Sequence, residues 1–156
     1  MKPFEIVPLP ASVAERVRRS RRDDHGNTQL ETTIASTNPG YPCRVCLRDA
    51  EIGESLLLFS YSAFKRPHPS WSVGPVFIHA NDCAPSSDRR EVPLQLRIRL
   101  LALRSYDDAD QMVGCDLVEG AQLEELVERL FEDPLAQYIH VHNARAGCFA
   151  CRIDRG

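Results

Sequence analysis

Helical periodicity is confined to two stretches of this chain, one near each end, and that restriction constrains the fold more than any other feature. In the first, Val13, Ala14 and Val17 recur at helical spacing behind Pro10, so a helix is expected over residues 10–22. In the second, Leu123, Leu126, Val127 and Leu130 form an apolar stripe that Asp133 and Pro134 bring to an end. The rest carries strand and turn signals. Leu56, Leu57, Leu58, Phe59 and Tyr61 make a nearly continuous apolar run, as in a central strand covered on both faces. Residues 4–9, 74–79, 111–118, 137–142 and 148–153 also read as strands, and residues 28–36 as extended. Leu94, Leu96, Ile98 and Leu100 alternate with Gln95, Arg97 and Arg99, the pattern of a half-buried strand continuing toward Tyr106. Strands in a run with one helix near each end predict an α+β fold, a mainly antiparallel sheet with two helices packed against it, rather than the βαβα alternation of a parallel sheet. A chain of 156 residues fits a single domain, 1–156, with one hydrophobic core.

Charge narrows the partners. With a net charge of -3 and a pI of about 5.9, the summed field does not attract a polyanion, and nucleic acid is not expected as a partner. The local cluster Arg16, Arg18, Arg19, Arg21 and Arg22, beside Asp23 and Asp24, reads as a solvated helix end whose late cations suit the macrodipole. Glu5 and the prolines at 3 and 8 interrupt any signal-like run, and no stretch approaches the roughly 18 apolar residues of a membrane span. The expectation is a cytoplasmic protein without a membrane partner. Its oligomeric state is left open.

The most distinctive string runs from Tyr138 through His140, His142, Asn143 and Arg145 to Gly147, Cys148 and Phe149. On a strand, Ile139 and Val141 share one face and Tyr138, His140 and His142 the other. With a five-residue loop over 143–147, His142 would pair with Cys148, His140 with Ala150 and Tyr138 with Arg152. A thiol beside an imidazole is the start of a nucleophile–base pair, and two histidines with a tyrosine on an exposed face could equally serve a ligand. A packed sheet face with a small buried thiol is the plainer reading.

Cys43 and Cys46, and again Cys148 and Cys151, are Cys-x-x-Cys pairs, which on counting alone suggest a four-thiolate zinc site. Neither pair contains a glycine to ease the sharp turn of a zinc knuckle, and on a strand Cys148 and Cys151 would point to opposite faces, Cys151 with Phe149 and Ile153. His79 and Cys83 could add ligands, and Cys115 stands alone on an expected strand. Packed free thiols are the default, so neither a metal nor a cofactor is expected.

Three blocks carry a resemblance to a known family: residues 41–47, from Tyr41 to Leu47; residues 74–80, from Gly74 to Ala80; and His140-Val141-His142-Asn143 with Gly147-Cys148-Phe149. Together they resemble the uncharacterised bacterial family catalogued as domain of unknown function 1203, over nearly the whole chain. The resemblance implies no activity.

Whether the protein is an enzyme is therefore not decided by its sequence. The leading expectation is a binding or interaction module for a small molecule, using Tyr138, His140, His142, Asn143, Arg145, Cys148 and Cys43, with the loop around Trp71 as a cover. The alternatives are a thiol enzyme with Cys43 or Cys148 as nucleophile and His140 or His142 as base, and a structural zinc domain.

Overall fold

The computed structural model describes residues 3–156. Its elements, in chain order, are β1 (Phe4–Val7), α1 (Ala11–Ser20), β2 (Thr32–Ile34), β3 (Ser55–Tyr61), β4 (Gly74–His79) and α2 (Leu94–Arg97). There follow β5 (Leu100–Tyr106), β6 (Met112–Glu119), a 3-10 turn at Gly120–Gln122, α3 (Leu123–Leu130), β7 (Tyr138–Asn143) and β8 (Phe149–Arg155).

The fold is α+β and antiparallel, but the strands form two sheets where one was expected. Five strands lie in the order β1-β8-β7-β5-β6 and three in the order β2-β3-β4. One face of the larger sheet presents Leu101, Leu103, Ile139, Val141 and Ile153 to Leu123, Leu126 and Val127 of α3, as the amphipathic pattern of that helix requires. Its other face turns toward the smaller sheet. Phe149 of β8 joins Leu57, Phe59, Val76 and Ile78 in a second core cluster, which also takes Ala14 and Val17 of α1. Of the three helices, where two were expected, α1 and α3 thus serve different cores. Among the described residues no helix is long and apolar enough to cross a membrane.

The expected strand around Leu94 is instead a single helical turn. Leu94 is 73% exposed while Gln95 and Leu96, adjacent in sequence, are both buried, which breaks a period-two pattern. Gln95 is held inward by a bond from its Nε2 to the carbonyl of Cys43 at 3.2 Å, and Pro93 starts the turn. The apolar run of β3 is also less enclosed than expected, since Leu58 is 43% exposed.

The α2 turn lies against Gly120, where a Cβ would stand 1.8 Å from the carbonyl oxygen of Leu96. Backbone meets backbone there, so neither side can yield cheaply. Gly120→Ala should cost at least about 3 kcal/mol in chemical denaturation, the upper end of overpacking costs. Gly74→Ala, whose methyl group meets nothing within 4 Å, should stay within about 0.5 kcal/mol of the parent.

Candidate metal centre and ligand cavities

Residues 41–50 fold back on themselves. Cys43 N donates to Arg48 O at 3.0 Å and Ala50 N to Tyr41 O at 2.9 Å, closing a tight loop around Arg44, Val45 and Cys46. The turn is made possible by Leu47, which takes the left-handed region at φ 56. The missing glycine is therefore no obstacle: Leu47 is 1% exposed and belongs to the main core cluster, so packing holds its backbone in place. Arg44 N then bonds to Phe77 O at 3.0 Å, fastening the loop to β4.

This places the Cys43–Cys46 loop beside the end of β4, where His79 is the last strand residue and Cys83 follows in the next loop. Ligand atoms of Cys43, Cys46, His79 and Cys83 all lie within 4.8 Å of one another, with the first three residues buried. Cys46 Sγ is 3.6 Å from His79 Nδ1, and Cys43 Sγ is 3.8 Å from Cys83 Sγ. A disulfide would need about 2.05 Å. A tetrahedral zinc with ordinary Zn–S and Zn–N bonds of about 2.3 and 2.0–2.1 Å has S···S edges of about 3.8 Å and S···N edges of about 3.6 Å.

The surroundings match the same chemistry. His79 presents Nδ1 to the sulfurs while its Nε2 lies 3.3 Å from Glu54 Oε1, the carboxylate contact that fixes the tautomer of a metal-binding histidine. Arg18 reaches in from α1, donating to Cys83 Sγ at 3.4 Å and to His79 O at 2.9 Å. It is therefore not part of a solvated helix end, unlike Arg16, which pairs with Asp24 at the surface. The backbone N–H of His79 donates to Cys43 Sγ at 3.4 Å.

Crowding sets the ionisation of the group. Hydrogen bonds from Cys46 and Cys83 hold the Cys43 thiol far below its ordinary value, and bonding to Cys43 and Cys46 pushes the Cys83 thiol up. His79 is raised to about 10, first by its hydrogen bond with Cys43 and then by that with Cys46. One thiolate forms at its neighbours' expense, a conflict that a divalent cation at their centre removes.

The expectation of packed free thiols holds for Cys151, buried in the main core with its thiol pushed up to about 12 by burial. Cys115 is exposed, away from the cluster. The two Cys-x-x-Cys pairs do not combine. The signal that pointed to the true grouping was Cys-x2-Cys followed by His-x3-Cys, the second pair supplied by His79 and Cys83.

The C-terminal hairpin differs from its expected register. His142 pairs with Phe149, His140 with Arg152 and Tyr138 with Asp154, and Ala150 is the extra residue of a bulge between Val141 and His142. Asn143 N bonds Cys148 O at 2.9 Å, and Gly147, at φ 80, closes the loop through Asn143 O at 2.7 Å. The bulge sends Phe149 to the second core and leaves Cys151 with Ile153, so the expected grouping of Cys151 with Phe149 does not form.

The face of Tyr138, His140 and His142 is buried, not exposed, because the segment after β3 lies over it: Phe64 packs edge-on against His140 at 4.8 Å and against Tyr106 at 5.2 Å. Phe64 belongs to the 63–73 loop that also carries Trp71, so that loop lies over these rings, while Trp71 itself packs on His25 at 6.2 Å. Tyr138 donates to Asp110 Oδ1 at 2.6 Å, and burial followed by that carboxylate raises its pKa. Burial lowers His140 to about 3 and His142 to about 4, so both are neutral at pH 7.

Cys148 is not His142's partner. Its sulfur accepts from Arg44 Nη2 at 3.1 Å and Asn143 Nδ2 at 3.7 Å, while His142 Nδ1 bonds Gly147 O at 3.0 Å. No imidazole stands within hydrogen-bond reach of that thiol among the described residues, so the hairpin forms no nucleophile–base pair. The proposed ligand residues divide between two cavities. His140, His142 and Cys148 line one of about 300 Å³, and Asn143, Arg145 and Cys148 line one of about 600 Å³. Tyr138 lines neither, and Cys43 belongs to the Cys/His cluster with Cys46, His79 and Cys83.

Residues 40–155 match the family model described as "Protein of unknown function (DUF1203)". No curated protein and no solved structure matches the chain.

Proposed function

We propose that the chain, which belongs to the DUF1203 family of proteins of unknown function, is a zinc-binding domain in which Cys43, Cys46, His79 and Cys83 hold one structural metal ion. The observation that carries this reading is metrical: the Cys43–Cys83 and Cys46–His79 separations of 3.8 and 3.6 Å match two edges of a tetrahedral zinc site with these donors, and all four ligand atoms lie within 4.8 Å of one another. Soft thiolates with one imidazole select zinc over hard cations. Four protein ligands leave no open coordination position, so the metal holds structure and does not activate water. What it holds together is the 41–50 loop, the end of β4 and the loop after it, which share few backbone hydrogen bonds.

Metal analysis of protein purified without chelators tests this. One zinc per chain is expected, and Cys43→Ser and His79→Ala should each lose it while Cys115→Ser keeps it. Cobalt substitution should give the intense thiolate-to-metal absorption of a tetrahedral sulfur-rich site. Sub-stoichiometric metal in the parent protein, or equal loss in Cys115→Ser, would defeat the assignment.

A further inference from the structure

Beyond the metal, we propose that the larger cavity beside the Cys43–Cys46 loop binds a small carboxylate that carries a neighbouring N–H or O–H donor and an apolar body. The starting point is Arg44, the residue after the first loop cysteine, which is 1% exposed and lines that cavity. Its guanidinium donates to Phe149 O at 2.8 Å, Pro42 O at 2.6 Å and Cys148 Sγ at 3.1 Å. None of these is a carboxylate, and Arg44 has no salt bridge among the described residues. A buried charge normally has an anionic partner, because an unpaired charge out of water is strongly destabilising.

Among the described residues no neighbouring acid pairs with Arg44. Asp49 is taken by Arg99, in a pair with bonds of 2.6 and 2.8 Å. The metal centre, with three thiolates, one imidazole and a divalent ion, would be net negative by one, and Arg18 donates to the sulfur of Cys83. With Arg99 neutralised by Asp49, the cavity wall holds Arg44 and Arg145 against Glu119 alone. Arg145, at the tip of the hairpin loop, is exposed and has no salt-bridge partner among the described residues. The field inside favours an anion.

Asn143 supplies the second requirement. It lines the same cavity, is 8% exposed, and its Oδ1 is a buried acceptor with no hydrogen-bond partner. An orphaned acceptor of this kind is satisfied by a ligand's N–H or O–H. Phe77, Pro42 and Pro75 make the apolar wall, and about 600 Å³ is a normal volume for a small-molecule site. Carboxylate, adjacent donor and apolar body together describe an N-acyl amino acid or a hydroxy acid of similar shape.

N-acetyl-L-phenylalanine has all three features and serves as the probe. Titrated into the zinc-loaded full chain and followed by backbone amide NMR, it should produce saturable shifts at Phe77, Leu100, Asn143 and Ala146. Its primary amide, which lacks the charge, should bind at least about tenfold more weakly. 3-Phenylpropionate, which lacks the N–H, should also lose affinity. Arg145→Glu reverses the charge at an exposed position and should weaken the acid but not the amide. The comparison of acid with amide needs no variant, which matters because replacing Arg44 would disturb the loop as well. Absence of saturable shifts in the cavity, or an amide that binds as tightly as the acid, overturns the proposal. Zinc measured on the same sample separates the two readings: stoichiometric zinc without binding removes this one alone, and binding without zinc removes only the metal centre.

Discussion

Stripping the metal with a strong chelator should lower the thermal midpoint by at least about 8 °C. A ligand present at about 1,000 times its dissociation constant stabilises a fold by about 4 kcal/mol, and in chains near this length each kcal/mol moves the midpoint by about 2–4 °C. Thiolate-rich structural zinc binds tightly enough to exceed that condition easily. The loss should be uneven. Cys43, Val45 and Cys46 belong to the core cluster built on β3 and β4, whereas most of the α3 core consists of residues far from the metal. Amide exchange should therefore accelerate first in residues 41–49 and 80–86, while Leu103, Ile139, Val141 and Ile153 stay protected. Cys46→Ser should reproduce the chelated profile, and chelator should add nothing further to it. An unchanged midpoint after the chelator has removed all metal would mean that the four residues do not hold the fold together.

Acid should destabilise the protein steeply, and His140→Phe should remove about half of the histidine contribution. His140 and His142 are held neutral by burial, at about 3 and about 4 in the folded chain, against about 6.5 when unfolded. Both folded values lie below the unfolded one, so between these limits the unfolded state binds more protons. Stability is then complete above pH 6.5 and falls as pH drops toward 4. Each group contributes a slope of about 1.4 kcal/mol per pH unit across that window. The groups facing His140 reinforce the effect: His142, Arg152 and Arg104 disfavour a second positive charge, and Asp110 alone opposes them.

His140 is enclosed by Tyr106, Tyr138, Phe64 and Phe149 at ring-centroid distances of 4.8–5.3 Å, and its Nε2 is buried without a partner. Phenylalanine fits the same shape and leaves no orphaned polar atom. The variant should equal or exceed the parent at pH 7 and lose stability less steeply on acidification, by about 1.4 kcal/mol per pH unit. Because His140 is not a metal ligand, acid release of metal affects variant and parent alike and cancels in the comparison. Identical acid profiles for the two would show that His140 titrates normally and that its burial carries no energetic consequence.

Local pattern revealed the elements whose own residues decide their conformation. The apolar stripe of α3, the strand run of β3 and the alternation of β7 each followed from side chains a few positions apart, because burial on one face imposes a period that a short window contains. The same logic failed at Leu94. There the inward pull comes from the carbonyl of Cys43, a partner some fifty residues away that no window reaches.

The candidate sites divide along the same line. The sequence by itself determined the antiparallel α+β character, the hairpin and the ligand types available in it, and it contained both halves of the proposed metal site, Cys43 with Cys46 and His79 with Cys83. Only the tertiary structure joined those halves. The joining depends on a left-handed backbone at Leu47 that packing, not a glycine, sustains, and on β4 ending beside that loop. It also decided the hairpin, since the bulge at Ala150 exchanged the expected thiol–imidazole neighbours for a thiol against Arg44. The physical reason is common to both. Backbone conformation within an element is set mainly by short-range sterics and burial period, whereas a site is a convergence of distant segments, fixed by whichever core they pack against.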